Sequence, residues 1–100
     1  MLMKNCIFCA IVHEEAPKSL IYEDDQCCAF MDLFPMSPGH VLVVPKQHCE
    51  LLQSLPEELQ QHLLLVASRI RIAISNTEIP MDGSNFLIND GKAASQEVPH

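Results

Sequence analysis

Basic residues are scarce in this chain. Six Lys and Arg stand against 13 Asp and Glu, a net charge of −7 over 100 residues, and the six form no cluster. Binding along a nucleic-acid backbone needs a basic footprint, so that class of partner is disfavoured. A single nucleotide is still allowed, because backbone N–H groups and neutral donors can hold one phosphate. No apolar run approaches the roughly 18 residues that span a bilayer. Met1-Leu2-Met3-Lys4-Asn5 lacks the apolar core of a secretory signal. These absences predict a cytoplasmic protein without membrane association. Repeats and low-complexity segments are missing too. The cysteine count, five, is odd. Without an export signal it argues against a disulfide framework and for metal ligation or buried thiols.

What is present suits one soluble globular domain over residues 1–100, with 48% hydrophobic residues and a mean hydropathy of +0.11. Cys6 to Val12 predicts one or two helical turns, closed before Pro17. Leu20-Ile21-Tyr22 and Cys27 to Met31 predict a hairpin around Glu23-Asp24-Asp25. Of the adjacent Cys27 and Cys28, at least one should be a small core residue. A proline-stiffened loop runs from Leu33 to Gly39, and His40-Val41-Leu42-Val43-Val44 is the most β-like run, stopped by Pro45.

Ser54-Leu55-Pro56-Glu57 has the arrangement of a capping box, with Ser54 as N-cap. Apolar residues then fall at Leu59, Leu63, Val66, Ile70 and Ile74, which is helical spacing to about Ser75. Leu64, Leu65, Ala67, Ile72 and Ala73 widen the stripe beyond one face, which hints at a covering partner and a homodimer. Asp82-Gly83 and Asn89-Asp90-Gly91 read as turns around a strand at Phe86-Leu87-Ile88. This order predicts an α+β domain built on an antiparallel sheet.

Cys6-Ile7-Phe8-Cys9 has the two-residue spacing that lets two thiolates reach one metal ion. His48 and His100 could complete a closed Cys2His2 zinc site, which would be structural because it leaves no position for water. A redox dithiol is the competing reading of the same spacing. His40 is either a hydrogen-bonded histidine at a strand entrance or a supporter of an active site. Asp32 either caps its turn or accepts hydrogen bonds from a ribose. His13 and His62, in polar surroundings, read as surface residues. The amides after Gly91, with Gln96 and Val98, belong to a turn suited to an anion.

Together these residues resemble the histidine-triad (HIT) superfamily of nucleotide hydrolases and transferases, nearest its small bacterial nucleotide-binding branch. The resemblance rests on Cys6-Ile7-Phe8-Cys9-Ala10-Ile11-Val12 and on Tyr22-Glu23-Asp24-Asp25. It rests further on Ala29-Phe30-Met31-Asp32-x-x-Pro35-x-x-Pro38-Gly39-His40-x-Leu42-Val43-Val44-Pro45-Lys46-x-His48. The last part is Asn89-Asp90-Gly91-x-Ala93-Ala94-x-Gln96-x-Val98-Pro99-His100, which leads into the family's H-x-H-x-H signature. The resemblance implies a HIT-like fold with one long helix and a short N-terminal one. It implies a base pocket of Phe8, Ile11, Phe30 and Leu33, although Phe8 and Phe30 also suit a plain aromatic core. Asp32 would hold the ribose, Asn89 and the Gln96-to-Val98 segment would face the phosphate of a purine nucleotide such as AMP, and His40 would support catalysis. Cys6, Cys9, His48 and His100 would be the zinc ligands.

In that family the nucleophile is the triad's middle histidine, which forms a covalent nucleotidyl intermediate. These 100 residues contain the first triad histidine, His100, and neither of the others, so the expectation is a chain truncated before its final strand and without turnover. Ser95 also stands where most relatives carry glycine.

Overall fold

The computed structural model describes residues 6–12, 20–31, 40–79, 82–94 and 96. Three strands and two helices make up the described core: α1 (Ile7–Val12), β1 (Leu20–Glu23), β2 (Cys27–Met31), β3 (Val41–Pro45) and α2 (Glu57–Ser75). Single 3-10 turns occur at Leu52–Ser54 and Lys92–Ala94. The strands form an antiparallel meander in the order β1-β2-β3.

The central strand explains the layering. Along β2 successive side chains point to opposite faces, and Cys27, Cys28, Ala29 and Phe30 are all buried. Cys28 and Phe30 join Ile11 and Val12 of α1 and Val44 of β3 in one apolar cluster. Cys27 and Ala29 join Val66 and Ile70 of α2 in the other. The sheet is therefore sandwiched between α1 and α2. A strand covered on both faces reads as an unbroken apolar run rather than an alternation, and Cys-Cys-Ala-Phe-Met does so. Both adjacent cysteines are buried core residues.

The β1–β2 turn is built by Asp24. Its Oδ1 accepts the backbone N–H groups of Gln26 and Cys27, both at 2.8 Å, and its N–H donates to the Cys27 carbonyl at 3.0 Å. This is the local side-chain competition that makes Asp a turn residue. A register shift lies between Leu20 and Tyr22 on β1, the edge strand.

Three readings of the sequence need correction. Ser54 does not cap α2: the N-cap is Pro56, without a side-chain cap bond, and Leu59 and Gln60 N–H groups both donate to the Pro56 carbonyl at 3.0 Å. Leu55 precedes a proline and is pushed to extended geometry, φ −82° and ψ 147°, so the helix cannot start before Pro56. Phe86-Leu87-Ile88 is not a strand. Its side chains are exposed, and among the described residues no ladder reaches it; a strand is made by its partner, whatever its propensity. His62 is not a plain surface residue, because it lies on the buried stripe of α2 and bonds to Asp24.

Of α2, Leu59, Val66 and Ile70 are buried, whereas Leu64, Leu65 and Ile72 are exposed. Among the described residues no helix is long and apolar enough to cross a membrane.

Val66, 1% exposed, sits between sheet and helix. Val66→Ala is expected to cost about 2–3 kcal/mol of unfolding free energy, from lost burial plus a residual cavity. Gln61→Ala on the exposed side should stay within about 0.5 kcal/mol. Urea titration of the two variants checks both values.

Candidate metal centre and nucleotide site

Cys6 precedes α1, and Cys9 lies in its first turn. The Ala10 N–H donates to the Cys6 carbonyl at 3.1 Å, the bond that opens the helix. The Cys9 N–H donates to Cys6 Sγ at 3.4 Å, so a sulfur fills the place where a serine or aspartate oxygen usually caps. The i, i+3 spacing brings both thiols to one side of the turn. Both residues are almost fully buried, at 4% and 1% exposure.

His48 reaches them from the segment after β3. Pro45 ends that strand, and the Lys46 N–H still bonds the Gln26 carbonyl at 2.9 Å, which holds the exit of β3 against the β1–β2 turn. His48 Nδ1 lies 3.2 Å from Cys9 Sγ. One ligand atom each from Cys6, Cys9 and His48 lie mutually within 4.8 Å. The edge of a tetrahedral zinc site between sulfur and imidazole nitrogen is about 3.5 Å, given the usual Zn–S and Zn–N bond lengths. The donor set fits zinc in chemistry and in size. His100, the expected fourth ligand, lies outside the described residues.

The residues expected around a nucleotide divide in the same way. Phe8 and Phe30 meet edge to face, with ring centroids 5.8 Å apart and planes at 70°. Ile11 packs in the same cluster. Asp32, Leu33 and Val98 lie outside the described residues, as do the 33–39 loop, His13 and Ser95. His40 is half-buried directly before β3, and Asn89 is exposed. A groove of about 320 Å³ lies elsewhere, lined by Asp25, Gln26, Lys46, Gln47, Pro56, Glu58 and Leu59. It is distinct from the Phe8–Phe30 cluster.

Gln96 has a role that sequence reasoning did not anticipate. Its Oε1 accepts the Gly91 N–H at 2.7 Å, and its Nε2 donates to the Glu50 carbonyl at 2.7 Å. Asp90 Oδ1 accepts the Leu52 N–H at 2.8 Å. Gly91 has φ 98°, a left-handed conformation that glycine adopts without strain. The Ala94 and Gln96 N–H groups both return to the Gly91 carbonyl. The 90–96 segment is thus fastened to residues 50–52, immediately beyond His48.

A second polar cluster, also unanticipated, lies on the α2 side of the sheet. Asp24 Oδ2 is 2.6 Å from His62 Nε2 and accepts the Tyr22 hydroxyl at 2.8 Å. Burial alone would raise the Asp24 carboxyl, but hydrogen bonds from Gln26, His62, Tyr22 and Cys27 outweigh it. They hold the group well below the usual carboxylate range. Burial, followed by the Asp24 charge, pushes the Cys27 thiol up to about 12. The available signal was spacing: His62, Val66 and Ile70 recur every four residues on one helix face.

Comparison with known proteins places the chain in a family. The HIT domain matches residues 13–100. An uncharacterized HIT-like protein of Methanocaldococcus jannaschii is 38% identical over 96 residues, 95% of this chain and 72% of that protein. The adenylylsulfatase HINT3 of Arabidopsis thaliana is 36% identical over 102 residues, 99% of this chain and 50% of its own length. Among solved structures, a zinc-bound histidine triad family protein from Mycobacterium smegmatis superimposes with a TM-score of 0.92 and 43% identity. That match covers 96% of this chain and 69% of the mycobacterial one. A histidine triad nucleotide-binding protein from Candida albicans matches with a TM-score of 0.84 and 31% identity, covering 96% and 69%. The protein is a member of the HIT family, and its α+β fold is that family's fold.

Free energy of metal binding at such a site is folding free energy. Cys9→Ser and His48→Ala are each expected to lose one equivalent of zinc in elemental analysis. Each should also lower the melting temperature by about 10 °C or more, at roughly 4–8 °C per kcal/mol for a domain of this size.

Proposed function

We propose that this chain carries the purine-nucleotide site and the structural zinc site of a HIT-type hydrolase acting on nucleoside phosphoramidates or phosphoanhydrides. The observation that carries the reading is the convergence of the Cys6–Cys9 turn with His48, 39 residues further along the sequence, in a member of a family with a zinc-bound relative. The names of an adenylylsulfatase and a nucleotide-binding protein among its relatives support the substrate class. Zinc held by Cys6, Cys9, His48 and His100 would crosslink the protein and supply no reactive water, because four protein ligands close its coordination.

In this reading Phe8, Ile11, Phe30 and Leu33 bound the base, and Asp32 accepts hydrogen bonds from the ribose hydroxyls. Asn89 and the backbone from Gln96 to Val98 face the phosphate. The clasp of Gln96 on Gly91 and Glu50 supports that role by fixing Gln96 before any ligand arrives, which reduces the ordering cost of binding. His40 orients the catalytic histidine. Cleavage in this family passes through a nucleotidyl-histidine, and the chemistry needs a neutral imidazole free to attack phosphorus. The five histidines are His13, His40, His48, His62 and His100, and a zinc-ligating His100 has no free nitrogen lone pair for attack. On this reading none of the five is the attacking histidine, and these 100 residues are expected to bind nucleotide without turning it over.

A zinc-stabilised, non-catalytic nucleotide-binding or interaction module is the second reading; it shares the zinc site and the nucleotide pocket and has no hydrolysis. Calorimetric titration with AMP is expected to show binding in or below the millimolar range, and silence at millimolar ligand removes the nucleotide site from both readings. Incubation of the homogeneous 100-residue protein with an adenosine phosphoramidate should release no AMP above the buffer rate. Robust release would overturn the assignment of the missing nucleophile.

The proposal extends to assembly and location. Leu64, Leu65 and Ile72 are 61%, 46% and 56% exposed on α2, a face suited to burial against a second copy. A cytoplasmic setting would keep the five cysteines reduced. Sedimentation equilibrium should return twice the 11.2 kDa chain mass, and Leu65→Lys should shift the population toward monomer.

A further inference from the structure

We propose that Asp24, Cys27 and His62 form a second metal site, on the opposite side of the sheet from Cys6, Cys9 and His48, suited to a divalent ion of borderline softness such as zinc. One ligand atom from each lies within 4.8 Å of the others. The three come from different elements: the β1–β2 turn, the first residue of β2 and the second turn of α2. Thiolate, imidazole and carboxylate are the donor types zinc takes, and three protein ligands leave a fourth position for water.

The surroundings of Asp24 resemble the outer hydrogen bonds that orient a metal-binding carboxylate. Two backbone amides hold Oδ1, and the Tyr22 hydroxyl holds Oδ2. The remaining donors aimed at this carboxylate are the His62 ring and the Cys27 thiol. The three ligand atoms thus face one another, and one cation would sit between them. Binding would release the thiol proton to solvent, since the ligand is thiolate. His62 would coordinate through Nε2 as neutral imidazole, with its proton on Nδ1. The Asp24–His62 separation of 2.6 Å would open to about 3.3 Å, the tetrahedral edge for bonds near 2 Å. A small rotation of His62 on α2 accomplishes that. Asp24 and His62 side chains are 20% and 23% exposed, so an ion has a way in. The same groups without a metal make an ordinary hydrogen-bonded clasp, and the two cases differ in stoichiometry.

Metal-free 100-residue protein titrated with Co2+ distinguishes them through the thiolate-to-cobalt charge-transfer absorption and the visible bands of tetrahedral cobalt. The expected result is two equivalents for the wild type. The Cys6→Ser/Cys9→Ser double variant should keep one of them, with the weaker charge-transfer intensity of a single thiolate. His62→Gln preserves a donor to Asp24 but is a poor ligand. It should weaken the remaining site by more than about tenfold, a loss that outer-shell partners alone can cause. Should the double variant fail to fold, two equivalents in the wild type against one in His62→Gln make the same comparison. A single equivalent in the wild type overturns the second site, as does uptake that His62→Gln leaves unchanged.

Discussion

The constraint on which this domain depends is the burial of β2 on both faces. Cys28 and Phe30 face α1, Cys27 and Ala29 face α2, and every one of the four is at most 3% exposed. A strand in that position has little room for large side chains and none for unpaired polar ones. Two cysteines and an alanine meet the first requirement. The second places polar chemistry at the ends of the strand, where Asp24 at one end terminates the hairpin and collects the hydrogen bonds of its neighbours.

From this layering the two candidate metal sites acquire their separation. Cys6 and Cys9 lie just before and within the helix that covers one face, and Cys27 and His62 belong to the strand and helix of the other. The HIT fold thus uses its cysteines in two ways in this chain. Cys28 is a small apolar residue of the core, whereas Cys6 and Cys9 are buried beside an imidazole, with Cys9 Sγ 3.2 Å from His48 Nδ1. Five thiols carry different chemistry because their neighbours differ, and their number alone said little about which was which.

Much of the fold was legible because its signals are local. The apolar runs Cys27–Met31 and Val41–Val44, the period of α2 from Leu59 to Ile74, and the CxxC turn all appear where the residues place them. The start of α2 was misread because a capping-box pattern and a pre-proline restriction overlap at Leu55-Pro56, and the steric rule prevails over the favourable bond. Phe86-Leu87-Ile88 was misread because strand formation depends on a partner that propensity does not supply. The candidate site was legible in residue types but not in pairings. His48 could be grouped with Cys6 and Cys9 from ligand chemistry, a grouping that the family resemblance strengthened, while the meeting of His62 with Asp24 across 38 residues left no mark beyond helical spacing. Gln96 was read as facing a ligand, and its observed bonds go to the chain's own backbone.

Residues 48–52 carry a consequence that concerns chain entropy. Cys9 reaches His48 across 39 residues, Gln96 reaches Glu50 across 46, and Asp90 reaches Leu52 across 38. All three contacts end on one five-residue stretch. Closing a loop of this size is costly, but the cost grows only logarithmically, by about 0.6 kcal/mol per doubling of length. Once one contact has fixed the stretch, its backbone is already ordered for the next, and the later closures lose less freedom. The segment after β3 is therefore a knot in the thermodynamic sense. It makes the early and late parts of the sequence order together.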